Sequence, residues 1–575
     1  MYRTLGWLIA SLSILPLIPG IFGVIASALG YMPMLGLNHV GIDYWNMVWQ
    51  WPGVERSLSI TIVTATVSTV LSVYFCFSIL HRSWDSHRMT SLLRWLSPML
   101  AFPHVGFAIG FALLWAPTGF IARIIEPLFS DSQFFEWFVK DPYGIGLIFI
   151  LILKETPFLL LMSLSVLSQI PYAKLLPVAS GLGYSKSQFW WKVILPIWLP
   201  KMRFAIFSVL AYGISVVDVA LIIGPTQPTS FAVLVWQWFN EPQLELLPRA
   251  ASGAVVLAVV TLLSLTAYWL LEKALLNRWN SWQFSGKKAL WTVGNTPYRF
   301  IQIMYLFIIP LLVVWSVAKR WRFPDIMPTS WSWQFWQNEW HSLSTTLWDS
   351  TLLAFITAAV ATVLTATLLQ LQSKGRFKLP LIVILIPLVI PQLSLLFGLQ
   401  ITALVIAPDN HLFWVIWAHL FFALPYVYLS LKGPWLVYEE RYSQVSLSLG
   451  KSPLYTFIAV KCRLLAPPLL FAWAIGASVS LAQYLPTLML GGGRITTITT
   501  EAVALTSGSD RRIMAIYGLW QTLLPLIFYS IAMITSVWLN KSASKRAVST
   551  RHSTLTSQRQ RASDDTFNTV PTNKS

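Results

Sequence analysis

Three charged residues stand where the chain is otherwise apolar. Lys154 and Glu155 fall near the middle of an apolar stretch at 144–168, and Asp218 falls in another at 203–223. On insertion scales each such group costs at least about 2.5–3.5 kcal/mol in hydrocarbon, so all three should face protein or water. Their chemistry is electrostatic. They could form a network lining a polar route, through a Lys154–Asp218 or Lys154–Glu155 pairing, or a lock between helices beside the break at Pro157. Adjacent helical residues do not face each other, so Lys154 and Glu155 are not automatically a pair. Bond-making machinery is missing: the sequence has no Gly-x-x-x-x-Gly-Lys-Ser/Thr, no HExxH and no GxSxG. The eight His and the two cysteines, Cys76 and Cys462, show no metal-ligand spacing. A chain that is not itself an enzyme, with no catalytic residue, metal or cofactor, is expected.

The elements that hold these groups follow from composition. Of 575 residues 56% are hydrophobic and only 11% charged, with 30 Trp. Average globular chains are about one-quarter charged, so a soluble domain could not hide this much apolar surface. Apolar stretches of about 20 residues recur, each long enough to cross a hydrocarbon core as a helix. The period-two alternation of a membrane barrel strand is not the pattern. A net charge of +18 raises the question of nucleic acid. The basic residues, however, sit in short connections, without the interleaved aromatic and basic pattern of a DNA or RNA reader. Membrane lipid is the expected surrounding, and no nucleic-acid partner is expected.

Twelve spans are read near 5–29, 57–80, 94–115, 144–168, 203–223, 250–271, 299–317, 349–371, 379–404, 412–431, 464–486 and 515–539. Basic residues gather in alternate loops: Arg82, Arg88 and Arg94; Lys174, Lys186, Lys192 and Lys201; Lys273, Arg278, Lys287 and Lys288; Lys374, Arg376 and Lys378. The positive-inside rule makes that side, and both termini, cytoplasmic. One loop dissents, with Lys319, Arg320 and Arg322 on the outer side. The basic, Ser/Thr-rich segment 541–575 has little to bury and is expected to be a disordered cytoplasmic tail.

The chain is written twice. Phe102-Pro103-His104 followed by Gly110 recurs as Ile390-Pro391-Gln392 followed by Gly398. Thr156-Pro157-Phe158 recurs as Leu424-Pro425-Tyr426, and Gly213-Ile214-Ser215 as Gly476-Ala477-Ser478. Gly224-Pro225-Thr226 and Gly491-Gly492-Gly493 follow in turn. Order and spacing predict an all-α integral membrane protein of about twelve helices in two pseudo-twofold-related six-helix repeats, 1–280 and 281–540.

The loops at 169–202 and 432–463 are the most informative. The first reads Leu176-Pro177-Val178-Ala179-Ser180-Gly181-Leu182-Gly183-Tyr184-Ser185, then Lys192-Val193-Ile194-Leu195-Pro196. This predicts a short amphipathic helix, a break at Gly183 where backbone freedom is needed, and a second short helix stopped by Pro196. The second loop repeats Gln444-Val445-Ser446 and Gly450, and continues to Val460 and Pro467.

The first loop resembles the EAA loop of ABC importer permeases, in which a glycine follows the EAA triplet by four residues and Ile-x-Leu-Pro closes the element. Ala179, Gly183, Leu195 and Pro196 match in register, with Val193 standing for Ile. Pro177 and Val178 replace the Glu and first Ala, and Cys462 and Arg463 stand where the second copy would hold Leu-Pro. The resemblance covers almost the whole chain. It runs to the fused two-domain permeases of the thiamine and ferric-iron branch, and is nearest an uncharacterised thiamine-like group, on Lys154–Phe158, Leu221–Thr226 and Thr500–Leu505.

The resemblance implies a permease subunit of the bacterial inner membrane that moves a small solute by ATP-driven alternating access. It implies two copies of an ABC ATPase docked on the two loops, through Ala179, Gly183, Leu195, Pro196, Gly450 and Pro467. It also implies a periplasmic substrate-binding protein on the opposite face. An ion-coupled secondary transporter is the alternative, and it would need neither the ATPase nor the repeated loop.

Overall fold

The computed structural model describes residues 6–7, 11, 15–84, 86–125, 137–285, 293–375, 377, 379–508 and 510–567, with side chains to 539 except at 97 and 279. Among the described residues it is all-α apart from one two-stranded hairpin. Among the described residues nine helices are long and apolar enough to cross a membrane, or eleven if each of two bent pairs counts once. Leu17–Ala28 (α1) is apolar but shorter, and residues 5, 8–10 and 12–14 of the first expected span lie outside the described residues.

The first half continues with α2 (Val54–Ser83), α3 (Arg88–Ala101), α4 (His104–Trp115), α5 (Ile145–Leu167) and α6 (Tyr172–Gly181). It ends with α7 (Lys186–Ser215), α8 (Asp218–Ile223), α9 (Phe231–Phe239) and α10 (Leu247–Gln283). The second half holds α11 (Thr296–Val317), α12 (Gln334–Ser373), α13 (Leu381–Leu388), α14 (Gln392–Ile406) and α15 (His411–Val437). After these come α16 (Arg441–Ser448), α17 (Pro453–Cys462), α18 (Ala466–Leu481), α19 (Leu485–Gly491), α20 (Ile498–Leu505) and α21 (Arg511–Phe567).

Several expected spans are broken. The stretch 94–115 is two helices, parted where Pro103 has no N–H to continue α3. The stretch 379–404 bends by 95° between α13 and α14, just before Pro391 is passed, and 464–486 bends by 81° from its lead-in α17. The fifth span begins earlier than expected, at Lys186, and stops at Ser215, so Asp218 opens a separate short helix. At the C-terminal end the backbone stays helical to Phe567, into the segment expected to be disordered. Residues 541–567 hold no Pro or Gly to stop it.

Packing follows one plan in both halves. α2 packs on α5 and α7 as α12 packs on α15 and α18. Gly213 allows the first of these approaches, since a Cβ there would lie 3.2 Å from Ala65 Cα; Gly476 does the same at 3.3 Å from Ala358 Cα. The N–H of Phe231 at the start of α9 donates to Thr61 Oγ1 at 2.8 Å, and that of Ile498 at the start of α20 to Ser350 Oγ at 2.8 Å. The first helix of each half crosses over: α1 packs on α14, and α11 on α4. Small residues at such seams let backbones approach where lipid offers no hydrophobic drive.

Candidate functional site

Two glycine-turn elements of the same build join α5 to α7 and α15 to α17. Leu182 caps the C-terminus of α6 and Gly183 takes φ +78°; Leu449 caps α16 and Gly450 takes φ +76°. The hydrogen bonds also correspond. Gly183 N–H donates to Ser180 O at 3.0 Å and Tyr184 N–H to Ala179 O at 3.0 Å. Gly450 N–H donates to Leu447 O at 3.0 Å and Lys451 N–H to Ser446 O at 3.2 Å. These bonds satisfy carbonyls that a helix end leaves open, and they need the left-handed conformation that glycine adopts without penalty. Ser185 and Ser452 then cap the next helix, accepting from Gln188 N–H at 3.3 Å and Tyr455 N–H at 3.2 Å. The instruction in the sequence is Leu-Gly-x-Ser, written once at 182–185 and again at 449–452.

Each element is anchored behind and apolar in front. Ala179 and Ser446, four residues before the glycines, are buried. Val178 and Leu182 are 64% and 71% exposed, and Val445 and Leu449, at the matching positions, 59% and 72%. Residues four apart share a helix face, so each element presents the same apolar pair outward. Behind the first turn, buried Lys192 donates to Ser285 O at 2.8 Å and lies over the Trp282 and Tyr184 rings. Behind the second, buried Lys461 meets Glu440 Oε1 at 2.5 Å and lies over Trp435 and Tyr438. Burial pushes the Tyr438 phenol above its ordinary range, and it shares a 2.9 Å hydrogen bond with Ser443 Oγ.

The two prolines differ from expectation. Pro196 does not stop a short helix, because α7 runs unbroken from Lys186 through a π-turn at Trp190–Ile194. The wide turn tolerates the missing donor, and Pro196 sits half-buried at the start of regular helix beside buried Leu195. Pro467 instead opens α18 beyond the 81° bend, a position where its lack of an N–H costs nothing.

The intramembrane charges do not form the pairs first considered. Lys154 Nζ donates to Phe102 O at 2.5 Å, Tyr305 Oη at 3.1 Å and Met99 O at 3.4 Å. Met99 and Phe102 belong to the C-terminal end of α3, where carbonyls are orphaned and the helix dipole favours a cation. Lys154 thus ties the break at Pro103, rather than Pro157, to α11 of the other half. Glu155 faces His104 instead, Oε1 to Nε2 3.2 Å, and the His104 side chain is 33% exposed. The His104 ring lies 5.0 Å from that of Tyr212, and Asp218 is within electrostatic reach of His104, Tyr212 and Tyr484. His104 was visible in the sequence only as the residue after a repeated proline. Leu182 and Leu449 were missed, although a leucine before a turn glycine in a polar loop was the available signal.

An all-α, multi-pass protein with duplicated turn elements and a buried charge cluster between its halves has the build of a transport permease. No family model matches the sequence. The chain belongs to the ABC transporter permeases. It is 30% identical over 544 residues to the inner membrane ABC transporter permease protein YnjC of Escherichia coli K12, a match covering 93% of this chain and 96% of that protein. It is accordingly an inner-membrane transport protein rather than an enzyme, of a class that works with ATPase partners.

Proposed function

We propose that the chain is a fused two-repeat permease subunit of an importer, with repeats at 1–280 and 281–540 and both termini cytoplasmic. One copy of an ATPase subunit docks on α6 and a second on α16, and a periplasmic binding protein delivers solute to the opposite face. The observation that carries this reading is the duplicated Leu-Gly-x-Ser turn with its matched apolar pairs, Val178/Leu182 and Val445/Leu449. An apolar pair held outward by a buried lysine is built to fill a pocket on a partner. Closure of the ATPases would push both elements together and rock the halves between outward- and inward-open states.

Lys154 acts in this reading as a lock between the halves, whereas Glu155 and Asp218, with His104 and Tyr212, line the route. Carboxylates among tyrosines favour a cationic solute, which supports a place in the branch that includes thiamine and ferric-iron importers.

The test is gentle purification of the tagged chain from its native membranes, followed by protein identification and an ATP hydrolysis assay. Recovery of a P-loop ATPase with the wild type, and its loss with Leu182→Asp plus Leu449→Asp, is the expected result. An ATPase-free chain that transports on a proton gradient would overturn the proposal.

A further inference from the structure

The dissenting basic loop has a structural setting. Ala318–Arg320 (β1), directly after α11, pairs antiparallel with Ser330–Trp331 (β2). Against this hairpin lie Arg123, from the short helix Phe120–Ile125 after α4, and Arg511 and Arg512, which open α21. Both halves therefore contribute to a cavity of about 370 Å³.

Among the described residues cations outnumber their carboxylate partners here. Arg512 is committed to Asp510, at 2.8 and 3.1 Å. Burial alone would raise the Asp510 carboxyl, but this two-pronged contact holds it below its ordinary value, so it stays charged and bound to Arg512. Arg511 donates to the Thr118 carbonyl at 3.1 Å and hydroxyl at 2.5 Å, lies over the Trp315 ring, and forms no ion pair among the described residues. Lys319 and Arg320 are exposed and form no ion pair among the described residues.

Arg123 points to a ligand. It is 1% exposed, its Nη1 donates to Arg322 O and Asp325 O at 2.7 Å, and its guanidinium lies 4.8 Å from the Trp321 ring. Its Nε, buried at the cavity wall, has no hydrogen-bond partner among the described residues. A buried donor left unmade costs about 1–3 kcal/mol, more when charged. An anion with several oxygens would satisfy it and relieve the mutual repulsion of its neighbours, and guanidinium groups match phosphate geometry in pairs. Trp315 and Trp321 beside the cavity are residues typical of the headgroup level.

We propose that this pocket binds a phosphate-bearing anion, the headgroup of an anionic phospholipid or free phosphate, and so clamps α4, α11 and α21 together. The inference is independent of how the ATPase docks.

The test is thermal unfolding of the purified full-length chain in a neutral detergent, titrated separately with short-chain phosphatidylglycerol, inorganic phosphate and short-chain phosphatidylcholine. Variants are Arg511→Gln and the exposed pair Lys319→Gln plus Arg320→Gln, the latter chosen because it should fold normally. The expected result is a saturable upward shift with an anion, its apparent Kd raised about tenfold in each variant, equivalent to about 1.4 kcal/mol. A response to phosphatidylglycerol alone assigns the source to lipid, and one to inorganic phosphate as well assigns it to the free ion. No shift, an equal shift with phosphatidylcholine, or a shift unchanged in both variants overturns the site.

Discussion

The backbone of Gly398 rests on that of Gly20, so close that a Cβ on residue 398 would come within 2.0 Å of the Gly20 carbonyl oxygen. The counterpart is Gly110, where a Cβ would lie 2.2 Å from Ile308 Cγ2. These contacts fix α1 to α14 and α11 to α4, each joining one half to the other. Ser394 Oγ to Ala254 O at 2.6 Å and Gly106 N–H to Gln521 Oε1 at 2.9 Å run beside the same seams. Each half thus carries a helix of the other as part of its own wall, so the rocking proposed above would have to leave these seams intact and open the bundle elsewhere.

Gly398→Ala should therefore destabilise the chain even though it adds one methyl. The atoms it meets are backbone, which cannot rotate away, and overpacking of this kind costs about 1–3 kcal/mol or more. Gly181→Ala is the control, because a Cβ there meets nothing within 4 Å and its φ is not left-handed. A lower unfolding midpoint in detergent for Gly398→Ala, with none for Gly181→Ala, is expected. Equal midpoints would show that the seam is not tight.

The pairs Pro103/Pro391, Gly110/Gly398 and Gly213/Gly476 were legible because proline and glycine mark backbone breaks and close approaches wherever they fall. The bends were not legible. Hydropathy registers apolar residues on both sides of a 95° turn alike, so 379–404 reads as one span. The end of α7 falls at Val216–Val217, two β-branched residues that carry no breaker of their own. Lys154 was visible as a charge, but its acceptors lie 52, 55 and 151 positions away, beyond any local pattern.

Lys154→Met leaves the Phe102 and Met99 carbonyls and the Tyr305 hydroxyl without their donor. Each buried group left unsatisfied costs about 1–3 kcal/mol, so the yield of folded protein should fall. Lys154→Arg keeps a donor and should recover part of it. The quantity to measure is the monodisperse fraction after size-exclusion chromatography, alongside solute uptake per folded molecule. Normal folding with slowed uptake would move Lys154 from the lock to the route.

At Gly183 a side chain meets nothing within 4 Å, so substitution acts only through the left-handed backbone. Asn tolerates that region, while Val opposes it by about 1–2 kcal/mol or more. ATPase recovery on purification should follow Gly, then Asn, then Val, and should fall further than the modest drop in unfolding midpoint that this backbone strain brings. The same order should appear at Gly450, whose φ and turn bonds correspond. Equal recovery for Gly and Val at both positions would mean the turn is not what the ATPase reads.

Arg203 and Glu272 form a two-pronged pair between α7 and α10, both bonds 2.9 Å, but their exposure is unequal: the Arg203 side chain is 37% exposed and that of Glu272 1%. Removing one partner strands the other, and the penalty depends on which is left behind. Arg203→Leu abandons a buried carboxylate and should cost about 3–5 kcal/mol. Glu272→Gln leaves an arginine that can turn toward water and keeps an amide able to accept its hydrogen bond, so it should cost clearly less. Arg203→Leu with Glu272→Leu should be more stable than Arg203→Leu alone, since no charge is then buried unpaired. Unfolding midpoints of the three variants test the order, and a double variant weaker than both singles would show that the pair acts through packing rather than charge.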